Sequence, residues 1–261
     1  MSDAAVLLHH QDSRGVVTLT LNRPLAFNAL SEALLEALQA ALDAIASDEA
    51  ARVLVIAANG KAFCAGHDLK EMRAKPSRLY YDRLFAQCGH MMMSLQKLSV
   101  PVIAKVQGMA TAAGCQLVAQ CDLAVAAQEA KFAVSGVNLG LFCSTPSVAL
   151  TRNLSRKAAF EMLVTGEFIS AQQALDKGLL NRVVPAEQLD AEVEVLAARI
   201  VSKPRVALAM GKALFYRQLE TGIQAAYDDA AQTMACNMMD SATQEGVQAF
   251  IDKRPPNWTS P

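Results

Sequence analysis

The 261-residue chain is poor in charge, with Asp, Glu, Lys and Arg at 19% against 52% for the hydrophobic types. What charge there is nearly cancels, 24 Lys and Arg against 25 Asp and Glu, so no global basic field favours nucleic acid or an anionic membrane surface. No CxxC pair occurs and no Cys/His cluster has zinc spacing, so no metal site is expected. The six cysteines, Cys64, Cys88, Cys115, Cys121, Cys143 and Cys236, are scattered among apolar neighbours and are expected to be buried, reduced thiols. The start, MSDAAVLLHHQD, lacks a basic n-region and a proper apolar h-region, so no signal peptide and a cytoplasmic location are expected. The longest run free of charge covers 132–151. On length alone it would span a bilayer, but Ser135, Gly136, Asn138, Gly140, Ser144, Thr145, Pro146 and Ser147 make it a poor apolar span. It is expected in a protein interior, and no membrane partner is expected.

What is present is the composition of a folded chain long enough for a substantial core, with a mean hydropathy of +0.20. Strands are predicted over 16–21 (VVTLTL), 53–57 (VLVIA), 102–106, 122–126, 131–134 and 182–184. Ser31 is a candidate N-cap for a helix that puts Leu34, Leu35, Leu38, Leu42 and Ile45 on one face. A second helix is predicted over 80–98, where Met91, Met92 and Met93 serve packing. Ser170 and Gly178 bracket a short helix, and three-to-four spacing predicts helices over 189–201, 208–216 and 223–239. The alternation implies an α/β fold with mainly parallel strands over 1–200, and then an all-helical portion over 201–261.

Two turns rich in Gly and Ala follow predicted strands and precede helix-like sequence: KAFCAGHDL at 61–69 and GMATAAGCQL at 108–117. Neither is GxGxxG or GxxxxGK[ST], so a nucleotide-phosphate cradle is not supported. Small residues there admit close helix–strand packing. They equally let backbone N–H groups at a helix start approach a ligand.

Over nearly its whole length the chain resembles the enoyl-CoA hydratase/isomerase (crotonase) superfamily. The resemblance rests on LNRPLAFNAL, KAFCAGHDLKEM, PVIAKVQGMATAAGCQLVAQCDLAVA, KFAVSGVNLG, TGEFISAQQALDKGLLNRVVP and EGVQAFIDKRPPNW, in that order. AAGCQLVAQCD and GVNLGLFCSTP look most like the group called enoyl-CoA hydratase domain-containing protein three. It implies a crotonase spiral of ββα units, a helical C-terminal trimerisation region, and a homotrimer or a hexamer built as a dimer of trimers. The implied partner is an acyl-CoA thioester, with coenzyme A entering as part of the substrate and no separate cofactor. The family pattern puts two oxyanion donors at the N–H groups of His67 and Ala113, where they would hold the thioester oxygen as it becomes an enolate. Leu25, Ala26, Phe27, Ala29 and Ala65 would line the CoA channel. Lys253 would reach a CoA phosphate, on a neighbouring subunit, or else is a solvated surface charge.

The acid–base residues depart from the hydratase pattern. Hydratases of the family use two glutamates; this chain has Gln116 at the first position and Gly136 at the second. Neither can take up or deliver a proton near neutral pH, and such groups contribute typically 10²–10⁴-fold, so classical hydration is expected to be weak or absent. The imidazole of His67 would suit proton transfer, although the favoured expectation has the ring facing solvent while only its N–H acts. A His here followed by VNLG also resembles malonyl-type acyl-CoA decarboxylases of the superfamily, with Ser135 where those enzymes carry a hydroxyl. Cys143 stands where the methylmalonyl-CoA enzyme has a tyrosine, and Gln116 where it has a glutamate. Thioester hydrolysis and non-catalytic acyl-CoA binding are the remaining alternatives. Asp68 is expected to brace its loop, and Asp122 to be a hydrogen-bonded buried acid. Cys115 and Cys143, with no basic neighbour in sequence, are expected to hold little thiolate.

Overall fold

Alternation and continuous burial lay down the sheet. Val17, Leu19 and Leu21 are buried along Val16–Leu21 while Thr18 and Thr20 between them are not fully so, and every residue of Val53–Ala58 except the last is buried, as parallel strands covered on both faces require. The computed structural model describes residues 5–258. Its larger sheet runs in the order β1 (Leu7–Gln11), β2 (Val16–Leu21), β3 (Val53–Ala58), β5 (Val102–Val106), β7 (Leu123–Ala127) and β10 (Arg182–Val184). All neighbours are parallel except β1 against β2. A smaller sheet, β4 (Ala62–Cys64), β6 (Met109–Thr111), β8 (Lys131–Ala133) and β9 (Ile169–Ser170), is parallel up to β8, with β9 antiparallel.

The two sheets share one winding rule. β3 passes into β4 and then α2 (Leu69–Ala74) and α3 (Arg78–Lys97); β5 into β6 and α4 (Ala113–Gln120); β7 into β8 and α5 (Ser144–Asn153). Each turn gives one strand to each sheet and ends in helix, which is the crotonase fold. α1 (Glu32–Ala46) starts at Ser31, whose Oγ accepts from the Leu34 N–H at 3.2 Å. Its face of Leu34, Leu35, Leu38, Leu42 and Ile45 joins Cys88, Met91, Met92 and Leu95 of α3 in the main core. The opposite face of the larger sheet, with Val53, Val55, Ile103 and Val125, is covered by Leu189, Val193 and Ala197 of α8 (Leu189–Val201). α6 (Arg156–Thr165) and α7 (Ala171–Asp176) complete the spiral; Ser170 and Gln173 form a full capping box at the start of α7.

The chain ends in α9 (Arg205–Gln218), α10 (Ile223–Met238) and α11 (Ser241–Ile251). Here burial is sparse: Lys212 in α9, nothing in α10, Ala249 in α11. Cys236 lies on α10 and is exposed, correcting the expectation that all six thiols are buried; the other five are. The uncharged segment 132–151 also departs from the expected interior position. Phe132, Ala133 and Val134 are buried, but Leu139, Leu141, Phe142 and Val148 are exposed, because after β8 the chain leaves the sheet through a 3₁₀ turn and enters α5 at the surface. Among the described residues no helix is long and apolar enough to cross a membrane.

Candidate active site

Parallel pairing of β4 with β6 brings the two Gly/Ala-rich turns side by side. Leu30 bridges His67 in parallel: the Leu30 N–H donates to the Gly66 carbonyl at 2.7 Å, and the Asp68 N–H to the Leu30 carbonyl at 3.2 Å. Backbone groups alternate in direction along an extended segment, so the intervening His67 N–H points away from this ladder, and among the described residues it has no acceptor. On the second turn, the Ala112 N–H donates to the Ala133 carbonyl at 2.9 Å. The chain then reverses at Ala112, with φ 49° and ψ −120°. A non-glycine residue held there costs about 1–3 kcal/mol and marks functional sites disproportionately. The reversal launches α4 with Ala113 as its first residue and no side-chain cap, leaving the Ala113 N–H unpaired among the described residues. Gly114 locks the two turns together, because a Cβ there would lie 2.1 Å from the Cys64 carbonyl oxygen.

These turns form one wall of a cavity of about 340 Å³. Ala65, His67, Ala112 and Ala113 supply that wall; Leu69, Met72 and Phe85 a second; Ser135, Gly136 and the segment 141–146 the third. No Asp, Glu, Lys or Arg is among the lining residues, which leaves His67 and Cys143 as the titratable groups. The solvent-facing orientation expected for the His67 ring is corrected: the ring turns inward, with both nitrogens buried and no hydrogen-bond partner among the described residues. It packs edge-on against Phe85, centroids 5.4 Å apart, and Phe85 stacks on Tyr81 of α3. Burial pulls the imidazole down to about 4, against a small upward pull from the Leu30 backbone, so the ring is neutral at pH 7.

Gly136 is a position with no room. A Cβ there would stand 2.5 Å from the Leu141 carbonyl oxygen and 2.7 Å from Cys143 Sγ. The Gly136 N–H donates to that sulfur at 3.3 Å, and the Leu141 N–H to the Gly136 carbonyl at 3.0 Å. The loop has closed over the place a second carboxylate would need. Burial raises the Cys143 thiol despite the Gly136 N–H, and pushes Cys115 up to about 12, so both stay protonated as expected. Gln116 is 4% exposed and its Oε1 has no partner among the described residues; it lies one turn into α4, behind the cavity wall, and is not part of the lining.

Of the expected channel residues only Ala65 lines the cavity. Leu25, Ala26, Phe27 and Ala29 lie on the neighbouring loop, joined to it where the Ala65 N–H donates to the Phe27 carbonyl at 3.0 Å. Buried Asn28 shapes that loop: its Oδ1 accepts from the Arg23 N–H, and its Nδ2 donates to the Asn59 and Ala62 carbonyls, each at 2.8 Å. Leu25 is left 100% exposed. Asp68 braces its turn as expected, capping α2 through Lys70 and Glu71 and pairing with Arg23 at 2.9 Å. Burial works to raise its carboxyl, but Arg23 and those N–H groups outweigh it and hold it low. Lys253 is exposed, at the end of α11 with φ 55°. Sequence reasoning missed Phe85, Met72 and Thr145 as wall residues; the apolar pattern of α3 gives no sign of which residues leave the core for the cavity.

The enoyl-CoA hydratase/isomerase family profile matches residues 11–261. A rat relative, the mitochondrial enoyl-CoA hydratase domain-containing protein 3, is 48% identical over 94% of this chain and 82% of its own. A crystal structure of an enoyl-CoA hydratase from Mycobacterium smegmatis matches with a TM-score of 0.97 and 65% identity, covering 98% of this chain and all of the other (100%). The human enoyl Coenzyme A hydratase domain-containing protein 3 structure matches at 0.94 and 45%, covering 97% and 100%. The rat, mouse, frog, human and zebrafish relatives are all named mitochondrial, which overturns the cytoplasmic expectation and points to a mitochondrial location. The chain belongs to the enoyl-CoA hydratase/isomerase (crotonase) superfamily, in the group of enoyl-CoA hydratase domain-containing protein 3.

Proposed function

We propose that the cavity takes the acyl end of an acyl-CoA thioester, whose carbonyl oxygen is held by the N–H groups of His67 and Ala113 as it becomes an enolate. The observation that carries this is a cavity wall with two unpaired backbone donors from adjoining turns. Charge grows on that oxygen only as the enolate forms, so fixed donors favour the transition state over the bound substrate. Loss of one such donor costs about 3–4 kcal/mol in other enzymes. The loop of Leu25, Ala26, Phe27 and Ala29, continuous with Ala65, would receive the CoA moiety, and Lys253 of a neighbouring subunit its phosphate. A trimer, or a hexamer of two trimers, is supported by the exposed apolar residues of the C-terminal helices.

Hydration of an enoyl-CoA by this site would be slow. The lining holds no carboxylate, Gln116 cannot titrate, and Gly136 has no space for a side chain. The lining equally holds no Lys or Arg, so a malonyl-type carboxylate would be buried unpaired, at considerable cost; decarboxylation has less support than enolate chemistry on an uncharged acyl group. With crotonyl-CoA, the enoyl absorbance should fall about 10²–10⁴-fold more slowly than with a hydratase bearing both glutamates. Turnover at an ordinary hydratase rate would overturn the reading of Gln116 and Gly136. His67→Pro, which removes the N–H, should further weaken whatever enolate-forming activity is found.

A further inference from the structure

We propose that the His67 side chain is a specificity determinant that reads an uncharged oxygen, hydroxyl or oxo, carried on the acyl chain close to the thioester. This rests on the acyl-CoA reading above and deepens it. Two ring nitrogens buried in a largely apolar cavity without partners are a standing free-energy cost. A ligand that brings a hydrogen-bonding group to them recovers that cost, whereas a plain hydrocarbon chain does not. The ring cannot turn away to find a partner elsewhere, because it is held edge-on against Phe85, which is itself stacked on Tyr81.

Position and charge narrow the ligand. The same residue supplies both the backbone N–H proposed for the thioester oxygen and the imidazole. The ring therefore reaches only substituents within about two or three bonds of the thioester carbon, that is, around C3. A neutral imidazole offers one donor and one acceptor, which matches a hydroxyl at both nitrogens or an oxo group at one. Burial keeps the ring neutral through the physiological range. With no Lys or Arg in the lining, a carboxylate at the same place would meet no counter-charge.

The test is calorimetric titration of the full-length protein with butyryl-CoA, 3-hydroxybutyryl-CoA and malonyl-CoA. The 3-hydroxy compound should bind about two- to ten-fold more tightly than butyryl-CoA, the range of one net hydrogen bond, and malonyl-CoA should bind more weakly than either. In His67→Phe, which keeps the N–H and the ring volume, the ratio of 3-hydroxybutyryl- to butyryl-CoA affinity should fall to about one. A second readout needs no variant: the ¹⁵N shifts of the His67 ring should move with 3-hydroxybutyryl-CoA and stay in place with butyryl-CoA. Equal affinities in the wild-type protein, unchanged ring shifts with the hydroxy compound, or a preference for malonyl-CoA would each overturn the assignment. If butyryl-CoA itself does not bind, the acyl-CoA reading fails instead, so the two failures are told apart.

Discussion

An imidazole shut away from water resists its proton, and at His67 this has a consequence for the stability of the fold. In the unfolded chain the ring takes up its proton near pH 6.5, but in the folded protein only at about 4. Between those values the unfolded chain binds more protons, so stability falls as the pH is lowered through that window and is fully present above it. The span corresponds to about 3 kcal/mol by pH 4, at 1.36 kcal/mol per pH unit. His9, His10 and His90 are common to the wild type and to His67→Phe and cancel in the comparison. Urea unfolding at pH 7 and pH 4 should show the wild-type protein losing about 3 kcal/mol more than the variant. A difference that stays flat with pH would mean the ring reaches water after all. The residue itself was legible in the sequence as a site histidine, but the direction of its ring was not, since that depends on Phe85, which a separate helix brings to the cavity.

Elements with several turns of regular pattern could be read before the fold was known: α1, α3 and α8 by their apolar faces, and β2, β3 and β5 by alternation or continuous apolarity. The smaller sheet could not, because strands such as Ala62–Cys64 and Met109–Thr111 are too short to show a period. The two Gly/Ala-rich turns were legible as residue types. That they face one cavity follows from the β4–β6 pairing, which joins segments more than forty residues apart. α10 poses the opposite problem, a clear apolar pattern with nothing beneath it. Ile223, Tyr227, Met234 and Met238 fall on one stripe of a 3.6-residue period, and all four are exposed, Ile223 at 79%. The proposed trimer gives this stripe a partner. Tyr227→Asp with Met234→Asp should therefore shift sedimentation from trimer or hexamer to monomer while circular dichroism stays helical. A wild-type protein that sediments as a monomer at micromolar concentration would remove the basis for the assembly.

At the scale of the whole molecule, the helical tail is fastened to the spiral through a polar contact as well as apolar ones. Lys212 of α9 is buried and donates to the Leu95 and Val100 carbonyls at 2.9 Å each and to Asp122 Oδ2 at 2.7 Å. Asp122 also accepts from the Tyr216 hydroxyl and from the Val102 N–H, both at 2.6 Å. One carboxylate thus joins the start of β5, the entrance of β7 and two positions on α9. Asp122 was legible as a bonded, buried acid. Its lysine was not, because the partner lies ninety positions later in a helix whose pattern reads as amphipathic. Burial lowers the Lys212 ammonium, against the upward pull of Asp122, so the pair stands because each charge has the other and neutral donors or acceptors complete the shell. Lys212→Met would strand the Asp122 carboxylate in a site only 15% exposed, at a cost of about 3–5 kcal/mol. Adding Asp122→Asn to Lys212→Met removes the stranded charge, so the double variant should be less destabilised than the sum of the two single variants. Denaturant unfolding of the set, followed by circular dichroism, reads both quantities. If Lys212→Met cost less than about 1 kcal/mol, well below the range for a broken buried pair, α9 would be held by its apolar contacts alone, and the ion pair would have no part in fastening the tail to the spiral.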